Sequence, residues 1–383
     1  MFRYPCHAGS PWVAEAVSRV LALELHGTAI HPLPIPPDPS VQRLILEAIA
    51  QHRVVEVLSP HLGALGVDSE TAQVVYHWRR QLGTAGLRLL VDTNTVSTLL
   101  HSAGIDHLVV KGVALSSMLG LDPTRRGAGD IDIWVRPTDV ACAEEILHGA
   151  GWSRFDRTLP RPTDGWRWWV LLRATNELTQ RADGSSPVDL HWRLTPFVGE
   201  QSPDFDDAYQ RSIAIAEVAE HARTLSAPDA LRHLAQQGRK DAFATLRQVV
   251  DIVRLAERCD SSTLVTMSAE DRNVALAVAV ANELVAPLVP EQNIHRRSRE
   301  LAHEGWRRCL SLQTPFYLLD GIPHREALLH RTRYETWMFR TAPTCRARVS
   351  GLTQLAIPRR WLMFGRKNHS YPSATSDCDS RRR

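Results

Sequence analysis

A chain of 383 residues has room for two domains, and 44% hydrophobic with 23% charged side chains is the balance of a folded globular protein, not of a disordered or membrane-embedded one. The 45 basic and 42 acidic side chains leave a net charge of +3, which excludes polyanion binding by bulk charge and demands a local patch for any such contact. Six scattered cysteines, with no CxxC and no paired Cys/His spacing, exclude a structural zinc site.

The start, MFRYPCHAGSPWVAEAVSRV, lacks the basic segment and apolar run of a secretory leader. No stretch approaches the roughly 18 uninterrupted apolar residues of a membrane span. A soluble, cytoplasmic protein is expected. Residues 11–25 carry apolar positions at helical spacing. HPLPIPPDPS (31–40) then breaks the pattern, because proline removes backbone donors, and residues 1–40 read as an extension closed by a linker. Over 41–104 the helical spacing returns, and two or three helices ending at Gly104 are expected.

The texture changes over 105–200. DHLVV (106–110) is a short β-prone run ended by Lys111-Gly112, and VALSSMLGL (113–121) reads as a short helix. DPTRRGAG is a loop, and DIDIWV (130–135) alternates with the period of a half-buried strand. TDVACAEEILHGAGW is a helix with Thr138 or Asp139 to cap its start and Gly149 or Gly151 its end. TNELTQRA and PVDLHWRL flank the turn signal DGSS and read as a β-hairpin. From 201 to 360 the spacing is helical again, and the polar tail 361–383 is expected to be disordered. The fold class is therefore α+β: a small mixed sheet between N-terminal and C-terminal helical regions.

Two charges inside DIDIWV need an explanation, since an unpaired buried carboxylate costs several kcal/mol or shifts its pKa. Residues two apart on a strand share a face, so Asp130 and Asp132 project together while Ile131 and Ile133 face a core. If the strand carrying Asp189 lies alongside, three carboxylates converge. Oxygen donors in such a cluster suit Mg²⁺, which leaves positions for water and phosphate. Gly112, at a strand-to-helix turn, permits close backbone approach, and Lys111 places a charge beside it. Ser116 and Ser117 lie on the following helix, equally readable as ordinary helix positions. Arg125 and Arg126 precede Asp130 and would offset the carboxylates or clamp a phosphate. His191 shares the face of Asp189 and reads either as an orienting group or as a buried, satisfied histidine. Trp166, Trp168 and Trp169 would stack a base or sugar, or pack as core.

Lys111-Gly112, Arg126 four residues before Asp130-Ile131-Asp132, the helix ending in Gly-Trp, and Val188-Asp189-Leu190-His191-Trp192 follow one another in an order that resembles the uncharacterised bacterial nucleotidyltransferases of the polymerase β-like superfamily. The similarity extends over about residues 40–340, with its specific part in 106–194. Where that superfamily generally has a second small residue, this chain has Val113. The resemblance implies a polymerase β-like core and transfer of a nucleoside monophosphate from an NTP such as ATP, with release of pyrophosphate. Asp130, Asp132 and Asp189 would be catalytic and would hold Mg²⁺, two ions in all. Lys111, Gly112, Arg126, Ser116 and His191 would line the nucleotide side. The acceptor, a hydroxyl or phosphate on a small molecule, peptide or RNA, is not marked by any residue, and a protein partner is compatible. Two other readings are carried: a non-catalytic nucleotide- or partner-binding domain, and a toxin- or antitoxin-type enzyme acting on RNA or protein. The latter predicts a basic groove, for which Arg239, Lys240 and Arg247 are candidates.

Overall fold

The computed structural model describes residues 10–35, 38–175, 177–195, 203–285, 287–306, 337–342 and 344. The expected tail lies outside them. The chain divides into two compact units, one of Met1–Gln81 with Ala230–Pro343, the other of Leu82–Asp229 with Thr344–Arg383. In chain order come α1 (Ser10–His26), α2 (Pro39–Gln51), α3 (Val55–Leu58) and the 34-residue α4 (Ser69–Ser102). Then follow β1 (His107–Val109), α5 (Gly112–Met118), β2 (Ile131–Val135), α6 (Val140–Gly149), β3 (Ser153–Arg154), α7 (Trp166–Ala174), β4 (Glu177–Arg181) and β5 (Val188–His191). After these come α8 (Phe205–Gln210), β6 (Ile213–Ala214), β7 (Arg223–Thr224), α9 (Ala227–Lys240), α10 (Leu246–Ala256), α11 (Ser261–Glu270), α12 (Arg272–Asn282) and α13 (Arg296–Glu300). The architecture is α+β. Among the described residues no helix is long and apolar enough to cross a membrane.

The first unit is helical among its described residues. The proline-rich segment ends sooner than its composition suggests, because Pro39 opens α2. Proline is tolerated at that first position, and the Asp38 carboxylate accepts from the Ser40 amide at 2.8 Å. On α1, Val13, Ala16, Val17, Val20 and Leu21 recur at helical spacing and are buried. The α12 segment VALAVAVA alternates like a strand, yet it is helical and buried along its whole length from Asn273 to Ala281. Asp271 starts it by accepting from the amides of Asn273 (2.8 Å) and Val274 (3.3 Å).

The second unit holds a five-stranded mixed sheet in the order β1-β2-β5-β4-β3. Strands β2 and β5 are parallel and the other pairs antiparallel. The expected hairpin is β4–β5, and Gly184 in its turn has φ +74°, a conformation that glycine adopts without steric cost. Alternation divides the sheet into two faces. Ile131, Ile133, Val135, Val188, Leu190 and Leu178 belong to a buried cluster with Val96 and Leu100 of α4, Leu147 of α6 and Leu171 of α7. Each such side chain contributes about 1.5–3 kcal/mol relative to exposure. The opposite face carries Asp132, Asp189, His191, Thr179 and Glu177. The β6–β7 ribbon is not legible in the sequence, since two-residue strands have no period to detect.

Candidate active site

The site begins at a turn. Lys111 ends the β1 segment in an extended conformation, and Gly112 then adopts φ +56°, where a side chain is strained. Space is not the constraint, since a Cβ there would only touch Ala128 (3.4 Å) and the Asp130 carbonyl (3.6 Å). The turn brings Lys111 Nζ to 2.8 Å from Asp132 Oδ1. The Arg126 guanidinium donates to the Gly112 carbonyl at 3.3 Å and so ties the loop before β2 to this turn. The loop seats on α4 at Gly86, where any side chain would collide with the Thr124 carbonyl. Arg125 points elsewhere, pairing with Asp122 at 2.7 Å near solvent.

Backbone register brings the acids together. Asp132 on β2 and Asp189 on β5 are direct partners across the parallel pair. Asp130 stands one residue before β2 and not within it, because pairing starts where the Ile131 amide meets the Pro187 carbonyl at 2.9 Å. Asp132 is 5% exposed, and its Oδ1 accepts both from Lys111 and from His191 Nε2, each at 2.8 Å. Its burial opposes ionisation, but Lys111 and His191 outweigh that and hold its carboxyl far below the usual range. Asp130 behaves oppositely: burial, then the charges of Asp132 and Asp189, push its carboxyl up to about 6. Asp189 is also raised, chiefly by burial, against a hydrogen bond from Thr179. Lys111 stays charged and is raised: burial lowers it, and the contacts with Asp132 more than compensate.

Two residues at this site are absent from the expected set, Glu177 and Thr179 on β4. Glu177 is the cross-strand partner of His191, and its Oε2 lies 3.3 Å from His191 Nδ1; Thr179 is the partner of Asp189. A signal exists in the sequence, since the hairpin register around DGSS places Glu177 and Thr179 on the face of Asp189 and His191.

Other expected residues are placed elsewhere. Ser116 is fully buried and its hydroxyl donates back to the Gly112 carbonyl at 3.4 Å, which is the ordinary helix role and not a ligand contact. Ser117 donates to Glu217. Val113 is 2% exposed and lies in the apolar cluster, so its bulk is spent on the core. His191 is buried, with Nε2 at 2.8 Å from Asp132 and Nδ1 at 3.3 Å from Glu177. The tryptophans divide by helical phase: Trp168 faces inward beneath Arg154, while Trp166 and Trp169 are exposed with Arg173 over the Trp169 ring at 4.0 Å. The basic groove sought at Arg239, Lys240 and Arg247 is corrected at its first member. Arg239 is 1% exposed, with its carbonyl accepting from Trp337 at 2.7 Å, and Arg247 lies 4.0 Å from Asp251.

The model of the family described as "Uncharacterised nucleotidyltransferase" matches residues 38–290, two-thirds of the chain. The chain belongs to this nucleotidyltransferase family. The match takes in the whole described sheet and the helices from α2 to α12. No curated protein and no solved structure matches the chain. A nucleotidyltransferase takes an NTP as donor, and members of this broad class usually use a divalent cation. Among the described residues no three His, Cys, Asp or Glu side chains are gathered into a ready metal cage. The fit of a cation to this nucleotidyltransferase therefore rests on the donor set. Asp189 Oδ1 is buried without any hydrogen-bond partner, as a ligand oxygen would be, and the neighbouring donors are hard carboxylate oxygens.

Proposed function

We propose that this nucleotidyltransferase transfers a nucleoside monophosphate from an NTP, with Mg²⁺, to an acceptor hydroxyl or phosphate and releases pyrophosphate. The observation that carries the reading is the in-register pair Asp132–Asp189, in which one carboxylate is held ionised by Lys111 and His191 and the other keeps an orphaned oxygen. Asp130, Asp132 and Asp189 are the residues that would hold the cation, two ions in the full form. The ions, when bound, neutralise the triphosphate and stabilise the entering and leaving oxygens.

The chain's own residues do the rest. Lys111 and His191 keep Asp132 charged while it is removed from water. Burial and the charges of Asp132 and Asp189 push Asp130 up, so positive charge arriving beside it favours its ionised form. Asp189, raised chiefly by burial, helps take the acceptor's proton. A bond forms between the acceptor oxygen and the α-phosphorus, the bond from the α-phosphorus to the bridging oxygen breaks, and pyrophosphate carries away the electron pair. Arg126 and Gly112 fix the turn that presents Lys111. The acceptor class, a small molecule, peptide or RNA, belongs to this proposal only in outline, as do a protein partner and a cytoplasmic setting.

The test incubates the full chain with each radiolabelled NTP and Mg²⁺, with and without EDTA, beside the Asp130→Ala/Asp132→Ala double variant. Metal-dependent label transfer or pyrophosphate release, lost in the double variant, is expected. Absence of nucleotide binding would overturn the reading. Tight Mg-NTP binding without turnover on any acceptor would favour the non-catalytic alternative.

A further inference from the structure

Asp132 does not offer its two oxygens equally. Lys111 Nζ and His191 Nε2 both converge on Oδ1 at 2.8 Å, while no hydrogen bond reaches Oδ2 among the described residues. The side chain is 6% exposed, so it is not free to exchange these partners for water. The direction of the His191 ring thus decides which oxygen is taken, and that direction is fixed from its other side. Its Nδ1 faces Glu177 Oε2 at 3.3 Å, across an antiparallel pair in which Glu177 and His191 are direct partners. The ring thus stands between two carboxylates, one on each nitrogen, and cannot turn without losing both contacts. Backbone register sets the Glu177–His191 contact, and the Lys111-Gly112 turn fixes the opposite side of Asp132.

We propose that Glu177 is a positioning residue which, through His191, keeps Asp132 a one-oxygen ligand and thereby selects a small octahedral divalent cation over a large one. The chemical reason lies in coordination habit. Mg²⁺ and Mn²⁺ take single carboxylate oxygens together with water and phosphate. Ca²⁺ takes six to eight oxygens and readily uses a carboxylate through both. An Asp132 whose Oδ1 is occupied twice suits the first habit and handicaps the second. This inference rests on the reading that the three aspartates hold a divalent cation.

The experiment measures Mn²⁺ binding to the full chain by electron paramagnetic resonance, with Mg²⁺ and Ca²⁺ as competitors and no nucleotide present. Wild type is expected to prefer Mg²⁺ to Ca²⁺. In Glu177→Ala, Mn²⁺ and Mg²⁺ affinity should fall by about 10-fold or more, as for other residues that orient a metal ligand. Ca²⁺ affinity should hold or rise, so that the Mg²⁺/Ca²⁺ preference collapses. Glu177→Gln, whose amide oxygen still accepts from Nδ1, should restore the preference. Glu177→Met keeps the length of the side chain and replaces the alanine variant if that one does not fold. A merely structural role would weaken both cations together and leave the ratio unchanged, and that result overturns the proposal while leaving the nucleotidyltransferase reading intact. If wild type binds neither Mn²⁺ nor Mg²⁺, the cation reading itself falls, and this inference with it.

Discussion

In the helical unit, three buried ionisable groups stand apart from like charge: Arg254, His52 and the helix-capping Asp271, whose carboxyl burial raises and Arg232 and Arg239 pull down, with Oδ2 left without a partner. Arg254 sits between Glu24 (2.8 Å) and Glu56 (3.3 Å), which raise its pKa against the effect of burial. His52 is fully buried, and burial pushes its imidazole down to about 4, so it folds uncharged. In the sheet unit, Asp130, Asp132, Asp189 and Glu177 gather on one face against Lys111 and His191. That face carries more negative charge than the fold compensates, and two of its carboxyls are raised as a result. A unit serving only its own stability has no use for such an excess. The proposed cation, bound with its triphosphate, would supply the missing balance.

The largest way to break this contrast is to remove its pivot. Asp132→Ala leaves Lys111 and His191 facing each other without their shared acceptor. It should destabilise the sheet unit by about 3 kcal/mol, as removal of one member of a buried pair does, and bring turnover below detection. Asp206→Ala is the matched control, because its pair with Arg136 (2.6 Å) is exposed and should matter by about 0.5 kcal/mol or less. Equal losses in chemical denaturation would show that the buried cluster is not special.

Acidification should next drive the two units in opposite directions. The folded pKa of His52 lies below the unfolded value, so its contribution is complete above about pH 6.5 and lost as the pH falls towards 4. At pH 5 the helical unit should be weaker by about 2 kcal/mol. The folded pKa of Asp130 lies above the unfolded value, so its contribution is complete below about pH 4 and lost as the pH rises through 6. Moving from pH 7.5 to pH 5 should therefore return about 1 kcal/mol to the sheet unit. Amide hydrogen exchange followed at α2 and at β2–β5 reads both, and parallel shifts would refute the contrast.

The smallest effect belongs to the exposed tryptophans. Trp166→Ala and Trp169→Ala, at 72% and 56% exposure, should each change stability by about 0.5 kcal/mol or less in thermal unfolding. A larger loss would mean that they pack against something and are not available to a ligand.

Much of the site is legible in the sequence. The alternation in DIDIWV, the DGSS turn and the VDLH strand state where carboxylates project, because a strand's period is a local property. The Lys-Gly turn is equally local, and Gly112 does adopt the conformation that such a turn requires. Ser116 misleads because helical position does not tell a solvent face from a core face. Arg239 misleads because charge in a sequence does not announce burial. Glu177 is easily overlooked although the hairpin register implies it, since its importance appears only once His191 is seen to reach Asp132.

By itself the sequence determined the α+β class, the strands β1, β2, β4 and β5 with their hairpin, and the shared strand faces of Asp189 and His191, all of which follow from periodicity and turn residues read over a few positions. Only the tertiary structure decided that β2 and β5 run parallel with Asp132 against Asp189, that Lys111 closes on the first of these, and that Glu177 holds the histidine between. The β2–β5 pairing joins residues roughly sixty apart in the chain, and the shared burial of Ile131, Ile133, Val188 and Leu190 on the other face of the sheet selects it. The apolar face sets the register, and the register assembles the charges.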